Sequence, residues 1–297
     1  MPKELVHWWI AAEAARRLPS ESACFRLISE HMPYYLTGAV LPDTLLHLIS
    51  GKSSYTALDL ADAFHNTKLH SYGPLVDFLE NTATAAEAPG LTACLLGVAT
   101  HMEADIVFHP FVYSLAGEDI GKHYRVETDL DLWLLKQGKT PPNFSLKQLA
   151  TKETKAAAAK LIRKLFDPEQ RLSSSDIDSA VKKHAVFQAM YGNPFWQGLA
   201  ILLGMIPKTR FSSWQQLFYP FFWRRGKAVS WPSDWTHPST GTTVPLDLDQ
   251  LLENAVSRTL QLLQNVDRFG IVQALKKQPG ENLLTGLPPK KPHDYIY

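Results

Sequence analysis

The chain has 297 residues, 45% of them hydrophobic, enough for one large domain or two small ones around a sizeable core. Lys and Arg number 30 against 29 acidic residues, and the resulting net charge of +1 calls for neither nucleic acid nor an anionic membrane surface. Cys24 and Cys94 lie in no CxxC pair and do not suggest a disulfide framework, so both are expected to be plain core residues.

Residues 1–18, MPKELVHWWIAAEAARRL, read as an amphipathic helix from about 3 to 18. Trp8, Trp9, Ile10, Ala12, Ala15 and Leu18 form its apolar side, His7 sits in its first turns, and Pro19 ends it. It lacks the continuous apolar region of a secretory signal. The longest apolar run, near Gly198–Ile206, falls short of the ~18 residues that span a bilayer, so a cytoplasmic protein is expected. A second helix follows Ser20 or Ser22 and runs to about His31. Residues 38–50, GAVLPDTLLHLIS, form a Gly/Pro turn into a short helix. There Asp43 either caps the helix or faces a metal, and His47 reads as an exposed or core histidine. Residues 51–57 are polar and loop-like. His65 and His70 follow, then the helical PLVDFLENTATAAE. A long apolar helix begins near Leu91, and Pro110 is expected to end or bend it at His109. The next helix carries Glu127, continues through LDLWLLKQ and stops before Gly138.

Residues 1–140 are therefore expected to form a metal-binding helical core, with 141–297 supplying helices that pack on it in the same domain. The latter comprise a connector at 138–147, helices at 151–165, 174–190 and 193–206, an aromatic and basic stretch at 211–226, a long ordered loop at 227–245, a final helix at 246–266 and a polar, Pro-rich tail. No repeat, low-complexity tract or run of alternating strands is visible, and the fold class is all-α.

The chemistry concentrates in 95–127, LLGVATHMEADIVFHPFVYSLAGEDIGKHYRVE. His101, Asp105 and His109 recur at i, i+4 and i+8, which sets them in a row on one helix face. After a loop with Gly117 and Gly121 come His123 and Glu127, again at i, i+4. One His/carboxylate pair is most often a surface pair or a satisfied core histidine. Two pairs plus His109, flanked by Leu95, Leu96, Val98, Ile106, Val107 and Phe108, would bury charges that need partners, and a metal supplies them. His and carboxylate ligands together suit zinc.

Taken in order, VHWWIA, GAVLPD, FHNT, the HxxxD of THMEAD, the following HP and the HxxxE of HYRVE resemble the zinc-dependent phospholipase C family, whose fold is shared by the S1/P1-type single-strand nucleases. The resemblance covers about the first 125 residues; beyond 140 it reduces to HPSTG and an acidic, Leu-rich final helix. It implies a multi-helix fold of the phospholipase C/P1 nuclease type holding two or three Zn2+ ions. By position, Asp43, His65, His101 and Asp105 would hold the first ion, and His109, His123 and Glu127 the second. His7, Asp105 as a bridge and the amine of Pro2, if the initiator Met is removed, would hold a third. Zinc brings the ionisation of bound water toward neutral pH, so a metal-held hydroxide attacking phosphorus is the expected chemistry, with Asp43 also serving as base. Two features depart from the family pattern. Three residues rather than five separate Asp105 from His109, and His70 competes with His65, with a supporting position as its other role.

The expected function is a zinc-dependent phosphodiester hydrolase of phospholipase C type, with a phosphodiester, phospholipid among them, as substrate. FYPFFWRRG at 218–226 is open to transient contact with a membrane surface or to a core role. A single-strand nuclease and a non-catalytic, zinc-stabilised helical binding protein are the alternatives. No stable nucleic-acid binding is expected.

Overall fold

The computed structural model describes residues 3–81, 88–140, 145–206, 211–221 and 229–289. Pro2 and the part of the aromatic stretch at 222–226 lie outside them.

The fold is built of helices. The first helix, α1 (Glu4–Arg16), buries Val6, His7, Trp8 and Ile10. Then α2 (Ala23–Glu30) starts at Ser22, whose side chain accepts from the Phe25 amide, and α3 (Met32–Gly38) leads into a 3-10 segment, Leu41–His47, that carries Asp43. The 51–57 region is not all loop: α4 (Ser54–His65) already begins within it and ends on His65. Five of its residues, Ala57, Leu60, Ala61, Phe64 and His65, are buried along one stripe at helical spacing. α5 (Gly73–Asn81) follows.

The axis of the molecule is α6 (Pro89–Ala116). It does not end at His109. Pro110 sits inside it, and the helix runs about two further turns before Gly117, at φ +56°, stops it. Pro110 has no N–H to offer the Ile106 carbonyl, but packing on both sides of the helix outweighs that single lost bond. α6 is also long and apolar enough to cross a membrane, and 89% of its most apolar window is buried inside the protein, which makes it a core helix.

α3 crosses α6 with the backbones in contact. A Cβ on Gly38 would collide with the Cys94 carbonyl, and one on Gly97 with the Tyr35 carbonyl. Small residues are the condition for that approach. It brings the Ala39 carbonyl within 3.0 Å of His101 Nδ1.

α7 (Ile120–Lys136) starts at Asp119, whose side chain accepts from the Gly121 and Lys122 amides. Its Asp131 accepts from the Val6 amide at 3.3 Å and from the Tyr219 hydroxyl at 3.1 Å, tying the start of α1 to α7. Next come α8 (Leu146–Leu149), α9 (Lys152–Leu161) with a π turn at Ile162–Phe166, α10 (Ser174–Met190), α11 (Pro194–Gly204) and α12 (Phe211–Trp214). Within the stretch expected to be a long loop lies a short antiparallel hairpin, β1 (Asp234–Thr236) with β2 (Thr243–Pro245), in which Trp235 pairs with Val244. Three-residue strands are too short to show alternation in sequence. α13 (Leu248–Phe269) packs on α1 and α6, and α14 (Ile271–Lys276), inside the expected polar tail, packs on α5. Both core clusters join residues from the two halves of the chain: Ala99 and Met102 with Leu161 and Leu262, and Trp8 and Phe108 with Leu252 and Val256.

Candidate metal centre

Five elements bring the chemical residues together. α1 supplies His7, the 3-10 segment Asp43, the end of α4 His65, and α6 the row His101, Asp105 and His109, while His123 and Glu127 come from the first turns of α7. Three sets of donor atoms result: Asp43, His65 and His101; His7, His101 and Asp105; and His109, His123 and Glu127.

Asp105 is central and fully buried. Its Oδ2 lies 3.0 Å from His101 Nε2 and 3.5 Å from His65 Nε2, and its Oδ1 lies 3.5 Å from His7 Nε2. Asp43 Oδ1 is 3.7 Å from His65 Nε2 and 3.8 Å from His101 Nε2. In the other set His123 Nε2 meets Glu127 Oε1 at 2.7 Å. His101 thus faces both Asp43 and the His7–Asp105 side, and the His7 ring stacks on it with centroids 4.0 Å apart. Asp105 Oδ1 faces His7 while its Oδ2 faces His65 and His101, so its two oxygens reach both sides of the cluster.

Main-chain carbonyls aim three of the imidazoles. His65 Nδ1 donates to Ala61 O at 2.7 Å, His101 Nδ1 to Ala39 O at 3.0 Å, and His109 Nδ1 to Leu283 O at 2.7 Å. A carbonyl can only accept, so in each neutral ring Nδ1 carries the proton and Nε2 is left as a lone pair. This is the outer support typical of metal-ligating histidines.

Electrostatics agree. Burial pushes the pKa of His65 down to about 4 and those of His7, His109 and His123 well below the usual imidazole value, so these rings are neutral donors at pH 7. Burial pushes the Asp43 carboxyl up to about 7. For His101 burial acts downward, but the charges of Asp105 and Asp43 outweigh it and raise the pKa. In the metal-free chain the two carboxylates favour a proton on His101, and a cation would displace it.

The fit to a metal is visible in the unpartnered atoms. Among the described residues twelve buried side-chain N and O atoms lack a hydrogen-bond partner, and seven of them belong to His7, Asp43, His65, His101 and Asp105. Such atoms are rare in a folded core and costly, and here they converge on one another.

The cluster opens into a cleft of about 450 Å³ with His65, His109, His123 and Glu127 on its floor. Leu58, Ile120, Tyr113, Tyr124 and Trp214 are among its walls. His70 is not in the cluster; its Nε2 donates to Gln278 O at 2.9 Å. His47 is not a bystander either. With Glu4 and His184 it forms a fourth His/carboxylate group, but every ring nitrogen there has a protein partner. His47 Nδ1 donates to the Asp43 carbonyl at 3.1 Å, so this group braces the segment that carries Asp43. Glu4 follows the same logic: burial acts upward, yet the His184 hydrogen bond and the Lys3 charge hold its pKa at about 2. Glu4, His184 and Leu283 went unnoticed in the sequence because their partners lie more than 170 residues away, where no local spacing reports them.

A buried His/carboxylate cluster at the floor of a cleft, on an all-α fold, defines a helical metalloprotein with an accessible donor set. A family model for zinc-dependent phospholipase C matches residues 6–186, which include every described donor named above. The chain belongs to the zinc-dependent phospholipase C family. Membership implies zinc, and a hydrolase acting on phospholipid phosphodiester bonds. No curated protein and no solved structure matches the chain.

Proposed function

We propose that the chain hydrolyses the phosphodiester bond of a phospholipid, with zinc held by two or three donor sets on α1, the 3-10 segment, α4, α6 and α7. The observation that carries the reading is the convergence of seven unpartnered buried donor atoms beside an apolar cleft. Asp43, His65, His101 and Asp105 are the proposed first set, His109, His123 and Glu127 the second, and His7 with Asp105 as a bridge the third. Zinc bound there would supply Lewis acidity, which brings the ionisation of water toward neutral pH and neutralises charge on a phosphoryl group.

The chain's own residues do the rest. His109, His123 and Glu127 form a three-donor set that faces the cleft, which leaves room for substrate oxygen, as catalytic sites require. Asp43, with side-chain exposure of 14%, is the most exposed carboxylate of the first set, which suits it to accept a proton from water at the metal. Leu58 and Ile120, both exposed at the cleft, are suited to acyl chains rather than to bases. Exposed Phe195, Leu202 and Met205 on and just after α11 support brief contact with a lipid surface.

The test is a panel of p-nitrophenyl phosphodiester, phosphatidylcholine vesicles and single-stranded DNA, each with the zinc-loaded and the chelator-treated protein. Zinc-dependent release of diacylglycerol and a phosphorylated head group is expected. Cleavage of DNA alone would give the nuclease reading instead. Inertness toward all three with full zinc content would make the centre structural.

A further inference from the structure

Gln278–Leu287, which follows α14 and lies outside the residues matched by the family model, crosses the molecule as an irregular strap. It is fixed along its length. His70 Nε2 donates to Gln278 O, and the Ser71 amide to Gly280 O. Arg258 on α13 pairs with Glu281 at 3.0 Å while holding Glu103 of α6 at 2.7 Å. The Asn282 side chain donates to Thr67 O at 2.8 Å and accepts from the Leu284 and Thr285 amides at 2.9 and 3.0 Å, which closes a tight turn. Gly286, at φ +63°, ends the turn against α6; a Cβ there would stand 2.6 Å from the Ile106 carbonyl oxygen and 3.3 Å from Pro110 Cγ. The strap therefore docks where Pro110 leaves α6 without an N–H for Ile106. At the centre of the turn the Leu283 carbonyl accepts from His109 Nδ1 at 2.7 Å, and Leu284 lines the cleft.

We propose that this strap is a positioning element for the second donor set: through the Leu283 carbonyl it fixes the tautomer and ring orientation of His109, and thereby sets the affinity of His109, His123 and Glu127 for a divalent transition metal. The proposal rests on reading those three residues as a metal-holding set. His65 and His101 take their equivalent support from α4 itself and from the residue following α3, so the strap governs one set and leaves the other alone. Gly286, Asn282 and Leu283 act through His109 and touch no substrate.

The test uses the full chain stripped of metal and titrated with Zn2+ against a competing chelator. Gly286→Ala introduces a side chain where the backbone conformation and the Ile106 carbonyl both oppose it, and Asn282→Ala removes the turn's hydrogen bonds. Each is expected to weaken one class of zinc site about 10- to 100-fold and leave the other unchanged. Asn282→Asp keeps the acceptor for the Leu284 and Thr285 amides while losing the donor to Thr67 O, and is expected to restore part of the lost affinity. In the metal-free chain, imidazole 15N spectra should show a protected His109 Nδ1–H that the first two variants lose. Equal weakening of all zinc sites, or none while the Nδ1–H signal disappears, would overturn the proposal, because the strap would then be only structural. If the wild-type chain binds no zinc at this set, the metal reading fails, and the Nδ1–H signal still decides whether the strap holds the ring.

Discussion

At the scale of single residues, position in the cluster depends on which histidine nitrogen is left free. His65 and His70 sit five residues apart with similar local sequence. His65 ends α4 with Nδ1 tied to Ala61 and Nε2 aimed at Asp43 and Asp105, whereas His70 spends its Nε2 on Gln278. His65→Ala is therefore expected to abolish phosphodiester hydrolysis and weaken the first zinc set. His70→Ala, which loosens the strap, is expected to cost no more than about 10- to 100-fold. Steady-state rates and zinc content of the two variants check the ranking, and the reverse order would contradict it. The i, i+4 spacing of His101 with Asp105 and of His123 with Glu127 was legible in the sequence, because both partners of each pair sit on one helix. The carbonyls of Ala39 and Leu283 were not, because a backbone acceptor carries no side-chain signature.

At the scale of elements, the centre depends on how closely helices approach. Gly38 and Gly97 let α3 and α6 touch backbone to backbone, and that contact sets Ala39 O against His101 and places the segment with Asp43 over α6. Gly97→Ala must push the two helices apart. The cost expected of such overpacking is about 1–3 kcal/mol, seen as a lower Tm, together with weaker zinc binding at the first set. An unchanged Tm with unchanged zinc affinity would contradict this role. Helix periodicity placed α1, α7 and α10 closely, but it misread α6. A proline in an isolated helix breaks it, whereas the 28-residue α6 is held on several sides by α1, α3, α7, α9 and α13. α4 was missed because Ser53, Ser54 and Tyr55 look like loop and the burial stripe starts only at Ala57.

At the scale of the whole molecule, the cluster makes stability depend on pH and on metal. Burial lowers the pKa of His47 to about 3 and of His65 to about 4, and holds His7, His109 and His123 well below the usual imidazole value near 6.5. For each, the unfolded chain takes up a proton first, so stability is present above the unfolded value and is lost as pH falls toward the folded one. Asp43 and Asp131, raised by burial to about 7, act in the opposite sense over the same range, as do Glu103, Asp129 and His101, whose pKa values are also raised. The five imidazoles, joined by Glu4 and Asp105, whose pKa values are lowered, outweigh them. The metal-free protein is accordingly expected to show a falling Tm from about pH 6.5 to pH 4, and zinc, which binds only the folded arrangement, is expected to raise the Tm at pH 7. A metal-free Tm that rises on acidification over that range would contradict the assignment of neutral buried histidines.

The central claim is that the buried cluster holds zinc. The most direct measurement is anomalous scattering at the zinc edge from crystals of the zinc-loaded chain. One peak is expected among Asp43, His65, His101 and Asp105 and another among His109, His123 and Glu127. Zinc-loaded crystals with no peak at either place would contradict it.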